Sequence, residues 1–309
     1  MRRGAIILSI WLAVGHLAYA EATSRVDRSP EIRERATNQF AAAIFLKPAE
    51  STNTDLASQL APLLLQQVPD KQSSAVSHTE PFGDAAFARD MPASSSAIHE
   101  RPFPPAIGAS RNVPVVFFAA DNVELEGRAH LRFSYEWSYA PGGPAGSKAL
   151  SRQGIRITLD TRGQPAVWEV LADTSGLRLI FVSQRVEGLA AGQFGKPWPG
   201  RRFTVERAVS EFPGVVVPRV LDDGPVAMGP IIYLQEGTRD VTTVICRCMP
   251  AQVKRLVATQ TFDLTALDGA ALAPFLPIPK DSNAPPVLWP AEDHVENRLD
   301  HCLRLPANF

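Results

Sequence analysis

Asp222 and Asp223 close a branched apolar run that ends at Leu221, and Gly224 follows them. Two carboxylates held together at a strand exit raise the pKa of one member and suit it to proton transfer near neutral pH, the chemistry of a hydrolase. Asp and Gly are also the ordinary residues of a turn, and a turn explains both types without any reaction. The three thiols form a second constellation. Cys246 and Cys248 flank Arg247 on a predicted strand over 241–249, where period two puts both sulfurs on one face. Cys302 falls on the apolar stripe of a predicted final helix, so the three sulfurs are expected to meet between sheet and helix.

Such a meeting supports two chemistries. Cys246, Cys248 and Cys302 with His301 resemble part of a zinc or copper ligand set. Adjacent helical side chains diverge by about 100°, however, so His301 and Cys302 do not aim at one ion, and His294 is about 10.5 Å further along the helix. The alternative is a disulfide from Cys302 to Cys248 or Cys246, which an oxidising compartment favours. A Cys246–Cys248 bond is disfavoured, because alternate strand residues lie about 6.6 Å apart with parallel side chains. The expectation is the disulfide, with no metal and no cofactor.

Other signatures are missing. The chain has no Gly-x-Ser-x-Gly elbow, no phosphate-binding loop, no His-Glu-x-x-His helix and no acidic calcium loop. Arg162 interrupts what would otherwise be an Asp-Thr-Gly turn at Asp160-Thr161-Arg162-Gly163. A concave pocket containing Asp222, Asp223 or Trp168 is the arrangement that would mark a site.

The elements that must position these residues are mostly strands. From Leu131 to Tyr139 aromatic and apolar side chains alternate strictly with polar ones, the signature of a strand with one apolar face. Apolar or alternating runs predict further strands at 113–118, 155–159, 177–182, 202–207, 215–221, 231–234 and 241–249. Short helices are predicted at 164–172 and 185–194, and a final one at 291–303 carries Val295, Leu299, Cys302 and Leu303 on one stripe. The fold class is α+β: a mostly antiparallel β-sheet with a few short helices and a C-terminal helix docked on it. A β-sandwich is the alternative.

The organisation predicted before this β-rich part has three pieces. Residues 1–20 combine Arg2-Arg3, an apolar middle and Ala18-Tyr19-Ala20, the pattern of a signal peptide cleaved after Ala20 and hence of a secreted or periplasmic protein. Residues 21–68 carry two short amphipathic stripes, Ile32/Ala36/Phe40/Ile44 and Leu56/Leu60/Leu63/Leu64, the second broken by Pro62. These helices dock on the chain's own core or offer a surface to a protein partner. Residues 69–111 are rich in Ser, Ala and Pro without period and read as a linker to the domain at 112–309.

With 45% hydrophobic residues the chain can build a core, and no stretch after the leader is long and apolar enough to span a bilayer. The formal net charge is −1 for 309 residues, and loss of Arg2 and Arg3 with the leader takes it to −3. Nucleic-acid binding needs concentrated positive charge and is not expected. The functional expectation is an exported soluble binding or structural protein. An envelope hydrolase using Asp222 and Asp223, and a thiol-based metal-binding or redox protein, are the alternatives.

Overall fold

A computed structural model describes residues 28–49, 55–68, 114–139, 150, 152–247, 253–267 and 298–309. The expected leader and secreted or periplasmic destination, the linker, Cys248, His294 and most of the final helix lie outside them.

The described residues open with α1 (Ser29–Arg35), β1 (Ala43–Pro48), α2 (Leu56–Leu60) and β2 (Leu63–Gln67). The first predicted stripe is helical only to Arg35. Beyond it, Ile44, Phe45 and Leu46 follow their β preference, and β1 pairs with a strand from the far end of the chain. Pro62 ends the second helix, which Asp55 caps by accepting from the Ser58 amide at 2.7 Å. Ile32, Ala57 and Leu60 are buried in the main core, so these helices cover their own chain.

Next come β3 (Val115–Leu125), β4 (Arg128–Ser138), β5 (Arg152–Leu159), β6 (Pro165–Val170), β7 (Arg178–Ser183) and α3 (Gln184–Phe194). The order ends with β8 (Val215–Val216), β9 (Val220–Leu221), β10 (Ile231–Leu234), β11 (Val241–Ile245), β12 (Leu256–Ala266) and α4 (Leu299–Cys302). The helix expected at 164–172 is instead β6. Its apolar residues split between two buried clusters, Trp168 and Val170 in one and Val167 in the other, and a strand buried on both faces shows no period of two. Residues 202–207 form no strand beyond one bridge, Glu206 to Leu303.

The strands make one 12-stranded sheet in the order β11-β10-β2-β1-β12-β3-β4-β5-β6-β7-β8, with β9 also on β7. The architecture is α+β: a curled, mostly antiparallel half-barrel, with parallel joins where β1, β2 and β3 meet strands distant in sequence. The two strands preceding the predicted linker are therefore built into the same sheet as the residues that follow it. Among the described residues no helix is long and apolar enough to cross a membrane.

Curling gives the sheet two buried faces. The inner face gathers Phe133, Tyr135, Trp137, Ile155, Ile157, Trp168 and Phe181 with Val241 and Val244 from the other end of the sheet. The outer face of β6 and β7 is covered by α3 and the C-terminal residues, where Ile180, Val182, Val186, Leu299, Leu303 and Phe309 pack together. The predicted polar face of β4 is buried too: Arg132, Ser134 and Glu136 are each under a tenth exposed.

Candidate functional site

Where the sheet curls round, the β10–β11 hairpin approaches β5, β6 and β7 and leaves a seam. One end of the seam is closed. Asp173, after β6, and Asp240, before β11, are both buried and share Arg35 of α1, which lies 2.6 Å from Asp173 and 3.6 Å from Asp240. Thr174 bridges the strands by donating its amide (2.8 Å) and hydroxyl (2.5 Å) to Asp240. Burial pushes the Asp173 carboxyl up, the neighbouring Asp240 charge adds to this, and Arg35 opposes both.

The other end is open, as a cleft of about 330 Å³. The 160–165 turn supplies one part of its lining, and the segment 222–228 leading from β9 towards β10 supplies another. Trp168 of β6, Ser183 at the end of β7 and Cys246 just past β11 complete it. The cleft therefore contains Asp222, Asp223 and Trp168 together.

Local structure accounts for each placement. Asp160 is a support of the turn: its carboxylate accepts from the amides of Arg162 (2.8 Å) and Gln164 (2.9 Å) and pairs with Arg162 and Arg185. Ser183 accepts from the Val186 amide at 3.2 Å and so caps α3. Gly229 lets the segment after the cleft pass against α2, because a Cβ there would sit 2.2 Å from the Leu60 carbonyl oxygen. Asp222 and Asp223 are exposed, and among the described residues neither makes a hydrogen bond or ion pair. Trp168 is 5% exposed, and its indole Nε1 is buried without an acceptor.

The thiols are placed differently from expectation. Neither Cys246 nor Cys302 is in a disulfide, and the predicted bridge from Cys302 is not formed. Cys246 belongs to the cleft, with its Sγ beside Gly224. Cys302 belongs to the outer face, where its Sγ accepts from Arg178 Nη1 at 2.8 Å. Both are on buried faces as predicted, but a curled sheet has two such faces and the sulfurs are on different ones. Among the described residues no group of three or more potential ligands could hold a metal ion, and His301 is exposed.

The outer face carries a charge cluster that sequence reasoning missed. Glu169 accepts from Arg178 at 2.5 Å, with Arg156 Nη1 at 3.8 Å, and all three are buried. Burial pushes the Glu169 carboxyl up, but Arg178 and Arg156 outweigh it and hold the group below the usual carboxylate range. Glu136 lies on the neighbouring part of this face with Arg152 at 3.0 Å. There burial wins over Arg152 and Arg156, and its pKa is pushed up to about 7. The only signal in the sequence was the recurrence of Arg and Glu at alternate strand positions, the pattern of an ordinary solvated face.

Comparison with protein-family models, with characterised proteins and with solved structures finds no match to this chain.

Proposed function

We propose that this chain is a binding protein whose small ligand occupies the cleft at the open end of the seam. The observation that carries the proposal is the coincidence, in one concave site at the mouth of a curled sheet, of the two unpaired carboxylates of Asp222 and Asp223 with Trp168 and Cys246 in the lining. Barrel mouths are frequent ligand sites, and a few polar groups in such a cleft orient what enters it. Binding fits better than acid–base catalysis: Asp222 and Asp223 are exposed, no described group orients either, and no histidine is among the described lining residues.

Cys246 provides the test. In a Cys248→Ser variant, alkylation of Cys246 and Cys302 is followed separately by peptide mass while a chemically diverse fragment collection is screened. A cleft ligand slows alkylation of Cys246, leaves that of Cys302 unchanged and raises Tm by mass action. If no fragment does both, the cleft is not a binding site. Work outside the cytoplasm is a separate proposal supported by the Met1–Ala20 pattern alone, and retention of those residues in the intact mass of exported protein would remove it.

A further inference from the structure

A second surface lies at the far end of α3 from the cleft. The helix starts from the Ser183 cap, which lines the cleft, and runs 11 residues, about 16 Å, before Gly195 turns the chain with φ 80°. Pro197 and Pro199 keep the helix from resuming, and a turn follows in which the Arg201 amide donates to the Trp198 carbonyl at 2.9 Å, with Gly200 at φ 79°. The turn is pinned on both sides. Thr204 donates its hydroxyl to the Gly195 carbonyl at 3.1 Å, Glu187 of α3 accepts from the Thr204 and Val205 amides, and buried Arg201 donates to the Arg207, Phe212 and Val215 carbonyls. Pro197, Trp198 and Pro199 form its exposed apolar tip, and Trp198, 45% exposed, is the one aromatic among the large hydrophobic side chains left exposed in the described residues.

Cations surround this tip. Arg304 lies over the rings of Phe194 (4.6 Å) and Trp198 (5.5 Å) and donates to the Phe194 carbonyl, Arg202 lies over Phe203 (5.3 Å), and Lys196 is exposed two residues before Trp198. Burial and then the charge of Arg207 hold the Arg304 guanidinium below the usual arginine range, with Glu187 opposing. Glu187 is already committed to two backbone amides, and among the described residues no carboxylate pairs with Lys196, Arg202 or Arg304. An indole at the tip with cations round it suits the surface of an anionic bilayer, where Trp settles at headgroup level and Lys and Arg meet the lipid phosphates. A nucleic-acid strand asks instead for successive open ring faces, and here Arg304 and Arg202 already lie over Phe194 and Phe203.

We propose that the 194–204 loop with Arg304 is a docking surface for an anionic lipid bilayer, with Trp198 seated among the headgroups and Lys196, Arg202 and Arg304 against the lipid phosphates. The attachment is peripheral and reversible, since a few cations and one indole fall short of a stable anchor. It is independent of the cleft.

Cosedimentation of the full chain with vesicles of phosphatidylcholine alone, and with one phosphatidylglycerol in three lipids, tests the assignment. The parent should bind the anionic vesicles about tenfold or more tighter than the neutral ones at low salt, with the difference shrinking as salt rises. Lys196→Gln or Arg202→Gln should each weaken that binding about fivefold, and both together about 25-fold. Trp198→Ser should cost about tenfold on the same vesicles. Trp198→Tyr keeps an interfacial ring and should stay within about twofold of the parent, while removing part of the fluorescence that bromine-labelled lipids quench. None of these side chains is buried, so each variant should keep the parent's Tm. Any hold that the apolar stretch 5–14 has on a vesicle is common to the parent and every variant, so the differences belong to the loop.

Failure of the parent to bind, equal binding to neutral and anionic vesicles, or undiminished binding by the double Gln variant or by Trp198→Ser overturns the assignment. So does preference for a soluble polyanion: if heparin or an oligonucleotide binds with the same dependence on Lys196, Arg202 and Trp198 while vesicles compete poorly, the partner is that polyanion and not a bilayer.

Discussion

Each end of the seam carries a pair of aspartates close together, and the molecule treats the two pairs in opposite ways. At the closed end Asp173 and Asp240 are buried 67 residues apart in sequence, clasped by Arg35 and bonded by Thr174. At the open end Asp222 and Asp223 are neighbours in sequence, exposed and unclaimed by any described cation. The closed pair joins α1, the end of β6 and the start of β11, and so acts in folding. The open pair joins nothing, so its charge is available to a ligand. Burial and partners, rather than the number or adjacency of the carboxylates, separate a structural pair from a candidate binding pair.

The largest effect is expected from breaking the clasp. Arg35→Ala leaves two buried carboxylates facing each other without their cation and should destabilise the fold by about 3–5 kcal/mol at neutral pH. Losing the cation raises the Asp173 pKa further, so the folded state binds more protons than the unfolded one and stability falls as pH rises. The deficit should therefore be greatest at neutral pH and shrink towards pH 4, as urea unfolding across that range would show. A uniform deficit would mean that Arg35 acts by packing.

Glu136 sharpens the comparison from the other direction, as a buried carboxylate with a cation that does not suffice. Its folded pKa of about 7 stands above the ordinary carboxylate value, so its contribution to stability is fully present below about pH 4.5 and is lost as pH rises through 7. By linkage the loss is about 3 kcal/mol over that window. Glu136→Gln should abolish this part of the pH slope and leave a variant more stable than the parent at pH 8. Parallel slopes for the two proteins would place the titration elsewhere.

The smallest effect is predicted for the open pair. Asp222→Asn with Asp223→Asn should move stability by no more than about 0.5 kcal/mol at any pH between 5 and 8, as for exposed groups away from packing and pairing. A loss of 2 kcal/mol or more in thermal unfolding would make the pair structural and erase the contrast with the clasp.

Much of the strand inventory was legible because local pattern and tertiary role agree there. The alternation of Phe133, Tyr135 and Trp137 with polar residues is what a half-buried strand requires, and β4 occupies Arg128–Ser138. The helix at Gln184–Phe194 begins at the Ser183 cap and ends at Gly195, whose φ is 80°. Legibility stopped where tertiary contacts outweighed pattern. β1 and β12 are parallel partners more than 200 residues apart, and nothing local marks either as a central strand. β6 has core on both faces and so lost its period.

The residue types of the site were also in the sequence: Asp222, Asp223, Trp168 and the thiols were each identifiable. The sequence by itself determined that Asp222-Asp223 follows a strand, that Cys246 and Cys302 sit on buried faces, and that the chain makes an α+β fold, because these depend on spacing within one element. Which buried face each thiol occupies, which aspartates meet a cation, and that a cleft opens beside Trp168 were decided only by the curl of the sheet. That curl brings the β11 end round to β5–β7, and it depends on pairings between strands that the sequence holds far apart.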